Sequence, residues 1–116
     1  MATDDSFHYQ IEYTERPPSE VRDSLGSKVT TIRCHGRLVA KHRDQVEEIF
    51  KHTAFHGPIY IDLDDVSYVD SAGLGSLVRL KFSAMKQEGV SVKFVNIAPR
   101  VMQLLRITNL LDWFSS

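Results

Sequence analysis

One short segment of this sequence places a carboxylate, a hydroxyl and two glycines where an apolar strand pattern gives way to a helical one. It reads Asp70-Ser71-Ala72-Gly73-Leu74-Gly75. Asp70 or Ser71 can cap the helix, because both side chains accept hydrogen bonds from the first backbone N–H groups. Each glycine disfavours the helix by up to about 1 kcal/mol relative to alanine. Helix stability therefore does not explain why the glycines are there.

The chemistry that this segment suits is acceptance of a phosphoryl group by Ser71. A phosphate there would lie at a helix N-terminus, where free N–H groups and the helix dipole stabilise negative charge. Glycine would let another backbone or a cleft approach the hydroxyl closely. An added charge of about −1.5 to −2 beside Asp70 would repel an acidic or apolar partner. A second interpretation also fits, in which the glycines only let the helix cap pack tightly on the sheet.

A second acidic segment, Asp62-Leu63-Asp64-Asp65-Val66, follows an apolar strand pattern. It is similar to the first motif of haloacid-dehalogenase-like phosphatases, in which one aspartate is the nucleophile, the next a general acid, and carboxylates bind magnesium. Such enzymes need further basic and acidic residues downstream, and beyond Val66 the acidic residues are Asp70, Glu88 and Asp112 alone. A magnesium-dependent phosphatase using Asp62 and Asp64 is therefore a weak alternative, and a solvated turn at the strand end is favoured.

The composition indicates an ordinary globular protein. The chain has 116 residues, 42% of them hydrophobic, and a formal net charge of −1, which predicts one domain over residues 1–116 and disfavours nucleic-acid binding. His52 and His56 have i, i+4 spacing, but Gly57-Pro58 interrupts their helix, so we predict no metal site. We also predict no cofactor, since no phosphate-binding glycine loop is present. The lone Cys34 and the lack of a leader or membrane-spanning run predict a cytoplasmic protein.

Periodicity predicts the elements that position the segment. Alternation predicts a strand over Phe7 to Tyr13, and β-branched residues predict a second strand from Val29 to His35 that ends at Gly36. The proline- and glycine-containing residues 14–28 predict a long loop between them. A helix follows from Lys41, and a strand then runs from Ile59 toward Val69.

The remaining elements complete an α/β order of β-β-α-β-α-β-α. A helix from Ser71 is predicted to turn five residues inward and to end before Gly89: Leu74, Leu77, Val78, Phe82 and Met85. Val90 to Val95 is a strand, and Pro99 starts a third helix that ends at Asn109 and turns inward Val101, Leu104, Leu105 and Thr108. The order predicts a small mixed sheet of four strands with three helices, an antiparallel hairpin followed by parallel strands.

With its flanking strand and helix, the segment from Asp70 to Gly75 resembles the signature of the STAS domain of bacterial anti-sigma-factor antagonists. The resemblance extends from about Val29 to Phe114, and the STAS fold agrees with the predicted order. It implies that Ser71 is phosphorylated by an anti-sigma factor that is itself an ATP-dependent serine kinase. Ala72 stands where a second serine is frequent, which singles out Ser71. The chain would then regulate transcription by partner switching, without enzymatic activity of its own.

The resemblance also implies partners and contact residues. The unphosphorylated protein binds the anti-sigma factor, phosphorylation ends the binding, and a serine phosphatase restores it. The contact surface would comprise Asp70, Ala72, Gly73, Leu74, Gly75, Arg37 and Val39. Arg37 and Val39 belong to a corner, Gly36-Arg37-Leu38-Val39, where many members have Gly-Glu-Leu-Asp. Two alternatives stay open: a scaffold unit of a stress-sensing assembly and a transporter-associated subunit. A homodimer through Tyr9, Tyr13, Trp113 and Phe114 is a further candidate.

Overall fold

Four strands and four helices make up the residues that the computed structural model describes, namely 6–15, 28–51, 57–87 and 90–115. The strands are β1 (Phe7–Glu15), β2 (Lys28–Leu38), β3 (Gly57–Val69) and β4 (Val90–Val95). The helices are α1 (Arg43–Lys51), α2 (Ser71–Met85), α3 (Pro99–Ile107) and α4 (Leu111–Ser115), and a 3₁₀ turn at Ala40–His42 precedes α1. The predicted order is confirmed, with α4 added at its end.

The strands form one sheet in the order β1-β2-β3-β4. β1 pairs antiparallel with β2, and both β2–β3 and β3–β4 are parallel. Parallel neighbours need a crossover, which α1 provides before β3 and α2 provides before β4. Because of this topology, β2 and β3 both run out at the same edge of the sheet, where Leu38 pairs with Val69. The segment beginning at Asp70 leaves from that edge.

The two faces of the sheet differ in polarity. Ile32, Ile61 and Phe94 lie on a face that is buried under the helices. They belong to a single core with residues of all four helices, among them Val46, Leu77, Val101 and Phe114. On the opposite face, the Arg33 guanidinium contacts the carboxylates of Glu12 at 3.3 Å and Asp62 at 3.5 Å. This side of the sheet is held by polar cross-strand pairs instead of by a second helical layer.

β2 continues past the glycine at which the sequence predicted its end. Gly36 has φ +95°, and the pairing with β3 shifts register on either side of it. A Cβ atom at this position would overlap the Ser6 carbonyl, whose carbon lies 3.2 Å away. Gly36 is therefore a bulge inside the strand, which lets β1 approach closely while β2 extends to Leu38.

Helix α2 turns a different face to the core from the one predicted. Leu74 and Leu77 are buried as expected, but Phe82 and Met85 are 52% and 56% exposed. Lys81 is buried in their place. Its Nζ donates to the Trp113 carbonyl and lies 4.8 Å from the centroid of the Trp113 ring. Burial, with a smaller effect of Lys93, lowers the pKa of Lys81. The long apolar stem of lysine takes a core position because its ammonium group reaches a backbone acceptor.

At the C-terminal end, Asn109 agrees with the prediction, whereas Thr108 and Phe114 depart from it. Asn109 has φ +59°, and Leu110 N–H donates to the Leu105 carbonyl at 2.9 Å, so asparagine ends α3 as predicted. Thr108, predicted to face inward, is exposed, and its hydroxyl donates to the Leu104 carbonyl of the preceding turn at 2.9 Å. Phe114 is fully buried, with its ring 4.5 Å from that of Phe94. It therefore offers no surface to a second copy of the chain.

Several sequence predictions fall outside the described residues. They are residues 16–27 of the predicted loop over 14–28, His52 and His56, and the helix stop at Gly89; the ends of that loop, residues 14, 15 and 28, belong to β1 and β2. Across the described ranges, none of the helices has the length and apolar character needed to cross a membrane.

Cys34 is expected to resist thiol reagents until the protein unfolds. It is 2% exposed, and burial, with a smaller effect of the Asp62 charge, raises the pKa of its thiol to about 12. Only the thiolate is an effective nucleophile, and its fraction at about pH 8 is negligible in the fold. Ellman's reagent should therefore label Cys34 slowly in buffer and rapidly in urea. Rapid labelling of the native protein would contradict this burial.

Candidate functional site

Asp70 anchors the start of α2 to the end of β2. Its Oδ1 accepts from Gly73 N–H at 2.7 Å, which makes it the N-cap, and its Oδ2 accepts from Ala40 N–H at 3.3 Å. Its own N–H donates to the Leu38 carbonyl at 3.2 Å. Since one carboxylate satisfies backbone donors of two elements, Asp70 fixes the helix start against the 3₁₀ turn that follows β2.

Ser71 is the first residue of α2, and its side chain is exposed. Because Asp70 provides the cap, the Ser71 hydroxyl is not needed for it. The structure gives this hydroxyl no hydrogen-bond partner among the residues that it describes. Ala72 beside it is exposed as well. A modifying group on Ser71 would therefore meet solvent and the free N–H groups of the helix start.

The two glycines of the segment have different surroundings. Gly73 is buried, and a Cβ there would overlap the Leu38 carbonyl, whose carbon lies 2.9 Å away. At Gly73 the close approach is therefore made by the protein's own β2 strand. A Cβ at Gly75 would meet only the Arg79 guanidinium, at 3.8 Å. The fold does not require glycine at position 75, so this position stays the candidate for approach by another molecule.

The corner Gly36-Arg37-Leu38-Val39 lies beside this helix start, and its first three residues form the end of β2. Arg37 pairs in register with Tyr68, and its guanidinium lies 4.8 Å from the Tyr68 ring centroid. Val39 is partly buried, and its N–H donates to His42 Nδ1 at 3.2 Å. Asp70 joins the corner to α2 through Ala40. The structure thus brings together all the residues predicted for the contact surface, with Gly73 and Leu74 buried beneath it and the others at or near the surface.

The sequence reasoning missed a groove whose lining includes Tyr68 and Val69, the residues that directly precede Asp70 and Ser71 in the chain. It lies between the end of β3 and α3, has a volume of about 500 Å³, and is lined by Tyr68, Val69, Arg100, Val101, Gln103, Leu104 and Ile107. Tyr68 is 40% exposed and Ile107 is 72% exposed. The sequence does contain a pattern that indicates this groove. A second face of α3, beside the buried one, has i, i+3, i+4, i+7 spacing and consists of Arg100, Gln103, Leu104 and Ile107.

The acidic segment in β3 is built differently from a phosphatase motif. Asp62 is 8% exposed, and its Oδ2 accepts from Asn96 Nδ2 at 3.1 Å while its Oδ1 accepts from Asp64 N–H at 2.9 Å. Asp65 instead pairs with His35 Nδ1 at 2.6 Å. Within the described part of the chain, no three His, Cys, Asp or Glu side chains converge to hold a metal ion. The oxygens of Asp62 are engaged in structural bonds, so this geometry gives the phosphatase alternative no support.

Comparison with known proteins adds a family and relatives. A family model described as the STAS domain matches residues 18–116. Over 94 residues the chain is 30% identical to the anti-sigma-B factor antagonist of Staphylococcus aureus. This match covers 79% of this chain and 86% of the Staphylococcus protein. Over 52 residues it is 46% identical to the anti-sigma-B factor antagonist of Bacillus subtilis. The latter match spans 45% of this chain and about half, 47%, of the Bacillus protein.

A solved structure supports the fold. The crystal structure of an anti-sigma factor antagonist from Mycobacterium paratuberculosis superimposes with a TM-score of 0.61 and covers 98% of this chain and 87% of that one. The two sequences are 19% identical. This likeness confirms the arrangement of strands and helices described above.

Proposed function

This chain belongs to the STAS domain family, and we propose that it is an anti-sigma factor antagonist switched by phosphorylation of Ser71. Unmodified, it binds an anti-sigma factor that has serine kinase activity, and so frees a sigma factor for transcription. Phosphorylation of Ser71 ends the binding, and a serine phosphatase restores it. The chain acts in the cytoplasm as a binding protein, and the catalysis belongs to its partners.

The observation that carries this proposal is that Asp70 caps the helix, which leaves the Ser71 hydroxyl exposed and unused by the fold. Asp70 holds the helix start through bonds to Gly73 and Ala40, and Ser71 stands exposed beside it without a structural task. A phosphate adds about −1.5 to −2 charge and would be accepted at the N-terminus of α2, a helix of 15 residues. Phosphorylation would thus change the charge of the binding surface while the fold stays intact, as a reversible switch requires.

The test is to incubate the protein with ATP and the serine kinase encoded nearest to it in its genome, and to map phosphate by mass spectrometry. We expect one phosphate, on Ser71, which Ser71→Ala abolishes. Ser67 is a matched control, because it is exposed close to the corner and its hydroxyl donates to the Gly36 carbonyl at 3.4 Å. Ser67→Ala should leave the phosphorylation unchanged.

Two outcomes would contradict the proposal. Phosphate on Ser67 or elsewhere, with Ser71 unmodified, would assign the switch to another residue. Stable binding of the kinase without any phosphorylation would favour a scaffold or transporter-associated role, which uses the same surface without a kinase cycle.

A further inference from the structure

We infer that the groove between β3 and α3 is a docking site for an acidic, amphipathic helical segment of the anti-sigma factor. This inference rests on the proposed function for the identity of the partner. The groove itself is defined by residues outside the predicted contact set: Tyr68, Val69, Arg100, Gln103, Leu104 and Ile107. It extends the binding surface from the start of α2 to the end of α3.

The walls of the groove are more apolar than a solvent-facing surface needs to be. Tyr68 and Ile107 are two of the five large hydrophobic residues that are exposed in the described ranges, and Ile107 is the most exposed of the five. The groove side of α3 runs from Arg100 to Ile107, which is about 10 Å along a helix axis. A wall of that length matches two turns of a partner helix, whose apolar side chains would repeat at i, i+3, i+4 and i+7.

The charge of the groove selects the sign of its occupant. Arg100 lines it, and the Arg37 guanidinium lies 4.8 Å from the centroid of the Tyr68 ring. None of its lining residues is acidic. Arginine pairs well with carboxylates at interfaces because its planar guanidinium donates two parallel hydrogen bonds. A segment that presents glutamate or aspartate beside its apolar residues therefore complements the groove, and a basic segment is repelled.

The position of the groove relative to Ser71 leads to the same sign. Tyr68 and Val69 directly precede Asp70, so a segment in the groove lies next to the phosphorylation site. A phosphate on Ser71 repels an acidic neighbour and attracts a basic one. An acidic segment bound by Arg100 and Arg37 would therefore be released when Ser71 is phosphorylated.

The first test measures anti-sigma factor binding to charge and apolar variants by calorimetry. Arg100→Glu should weaken binding by about tenfold or more, since it places like charges across the interface. Arg106→Glu is the matched control, because Arg106 is exposed on the same helix but lines a separate depression with Asn109, Leu111 and Asp112. It should change the affinity by less than about twofold.

For the apolar wall, Ile107→Ser should weaken binding and Met85→Ser should not. Both residues are more than half exposed, and Met85 lies at the end of α2, outside the groove. Equal affinity of the wild type, Arg100→Glu and Ile107→Ser for the anti-sigma factor would overturn the groove assignment and leave the proposed function standing. Loss of self-association in Ile107→Ser without partner would assign the groove to a second copy of the chain, which also overturns the inference.

The second test needs no anti-sigma factor. A synthetic helical peptide of about twelve residues, with leucine at i, i+3, i+4 and i+7 and glutamate elsewhere, is titrated into the ¹⁵N-labelled protein. We expect amide shifts confined to Tyr68, Arg100, Leu104 and Ile107, and their loss in Arg100→Glu. The same peptide with lysine for glutamate should give none. No shifts, or equal shifts with both peptides, would overturn the inference. Binding of the acidic peptide alone, with no binding of any serine kinase, would instead refute the proposed function.

Discussion

Gly73→Ala is expected to lower the free energy of unfolding by about 3 kcal/mol or more, a large part of the stability of a domain of this size. The added methyl group would overlap the Leu38 carbonyl, with its carbon 2.9 Å away, and the backbone of β2 cannot rotate aside as a side chain would. The same strand end accepts from Asp70 N–H, so moving Leu38 would also strain the helix cap. Urea unfolding followed by circular dichroism measures the loss.

Gly75→Ala is the matched control, two residues further along the same helical turn. A Cβ at position 75 has the flexible Arg79 guanidinium as its nearest neighbour, at 3.8 Å, and alanine favours a helix by up to about 1 kcal/mol over glycine. We expect Gly75→Ala to be at least as stable as the wild type. Equal destabilisation by the two substitutions would show that the helix start, and not the contact with Leu38, sets the requirement for glycine.

This pair of glycines also shows where sequence reasoning stops. The pattern indicated that something other than helix propensity placed both of them, but it could not tell an internal contact from an external one. The contact with Leu38 depends on how closely α2 approaches β2, and residues 38 and 73 are brought together only by the tertiary fold. The tertiary fold also decides that Asp70, and not Ser71, is the N-cap, because the second carboxylate oxygen of Asp70 accepts a hydrogen bond from the Ala40 amide.

The order of elements was predictable because each has a strong local signal. The parallel pairing of β2 with β3 followed from a crossover with a helix, and the helix end at Asn109 followed from the left-handed conformation that asparagine tolerates. Exposure within an element was less predictable. Phe82 was predicted to be buried and is exposed, whereas Lys81 is buried. A hydrophobicity pattern could not predict this, because it does not show that the Trp113 carbonyl accepts a hydrogen bond from the Lys81 ammonium group.

The groove was missed for a related reason. The sequence pattern predicted one inward face for α3, through Val101, Leu104, Leu105 and Thr108, and gave Ile107 no role. Val101 and Leu105 are buried as predicted, while Ile107 and Leu104 line a second face toward β3. An apolar residue outside the buried stripe of a short helix is weak evidence by itself. It gains meaning only when the fold places it beside Tyr68, in a groove at the end of β3.

Ser71→Glu is expected to weaken binding of the anti-sigma factor by about a hundredfold, and Ser71→Ala by less than about threefold. A carboxylate at this position brings negative charge against the partner surface, and like charges at an interface cost several kcal/mol of binding free energy. A hundredfold change in affinity corresponds to about 2.7 kcal/mol. Alanine removes a hydroxyl that has no partner in the described structure, so it leaves the surface neutral. Surface plasmon resonance with the immobilised anti-sigma factor gives both affinities.

The fold supplies a control that separates a charge effect from damage to the protein. A glutamate in the first turn of a helix interacts favourably with the helix dipole, typically by about 0.3 to 1 kcal/mol. Ser71→Glu should therefore unfold at the same or a slightly higher urea concentration than the wild type, while it binds far more weakly. Ser67→Glu places the same charge on an exposed residue of β3, outside the helix start, and should keep most of the affinity.

The two measurements together decide whether charge at Ser71 is the switch. Retained stability with weakened binding, confined to position 71 and relieved by raising the salt concentration, would show that the partner contacts this residue and is repelled by its charge. Equal affinity of Ser71→Glu and Ser71→Ala would remove the charge mechanism. A loss in both that raising the salt concentration does not reverse would point to a steric requirement at the helix start, because screening weakens repulsion between charges and leaves steric overlap unchanged.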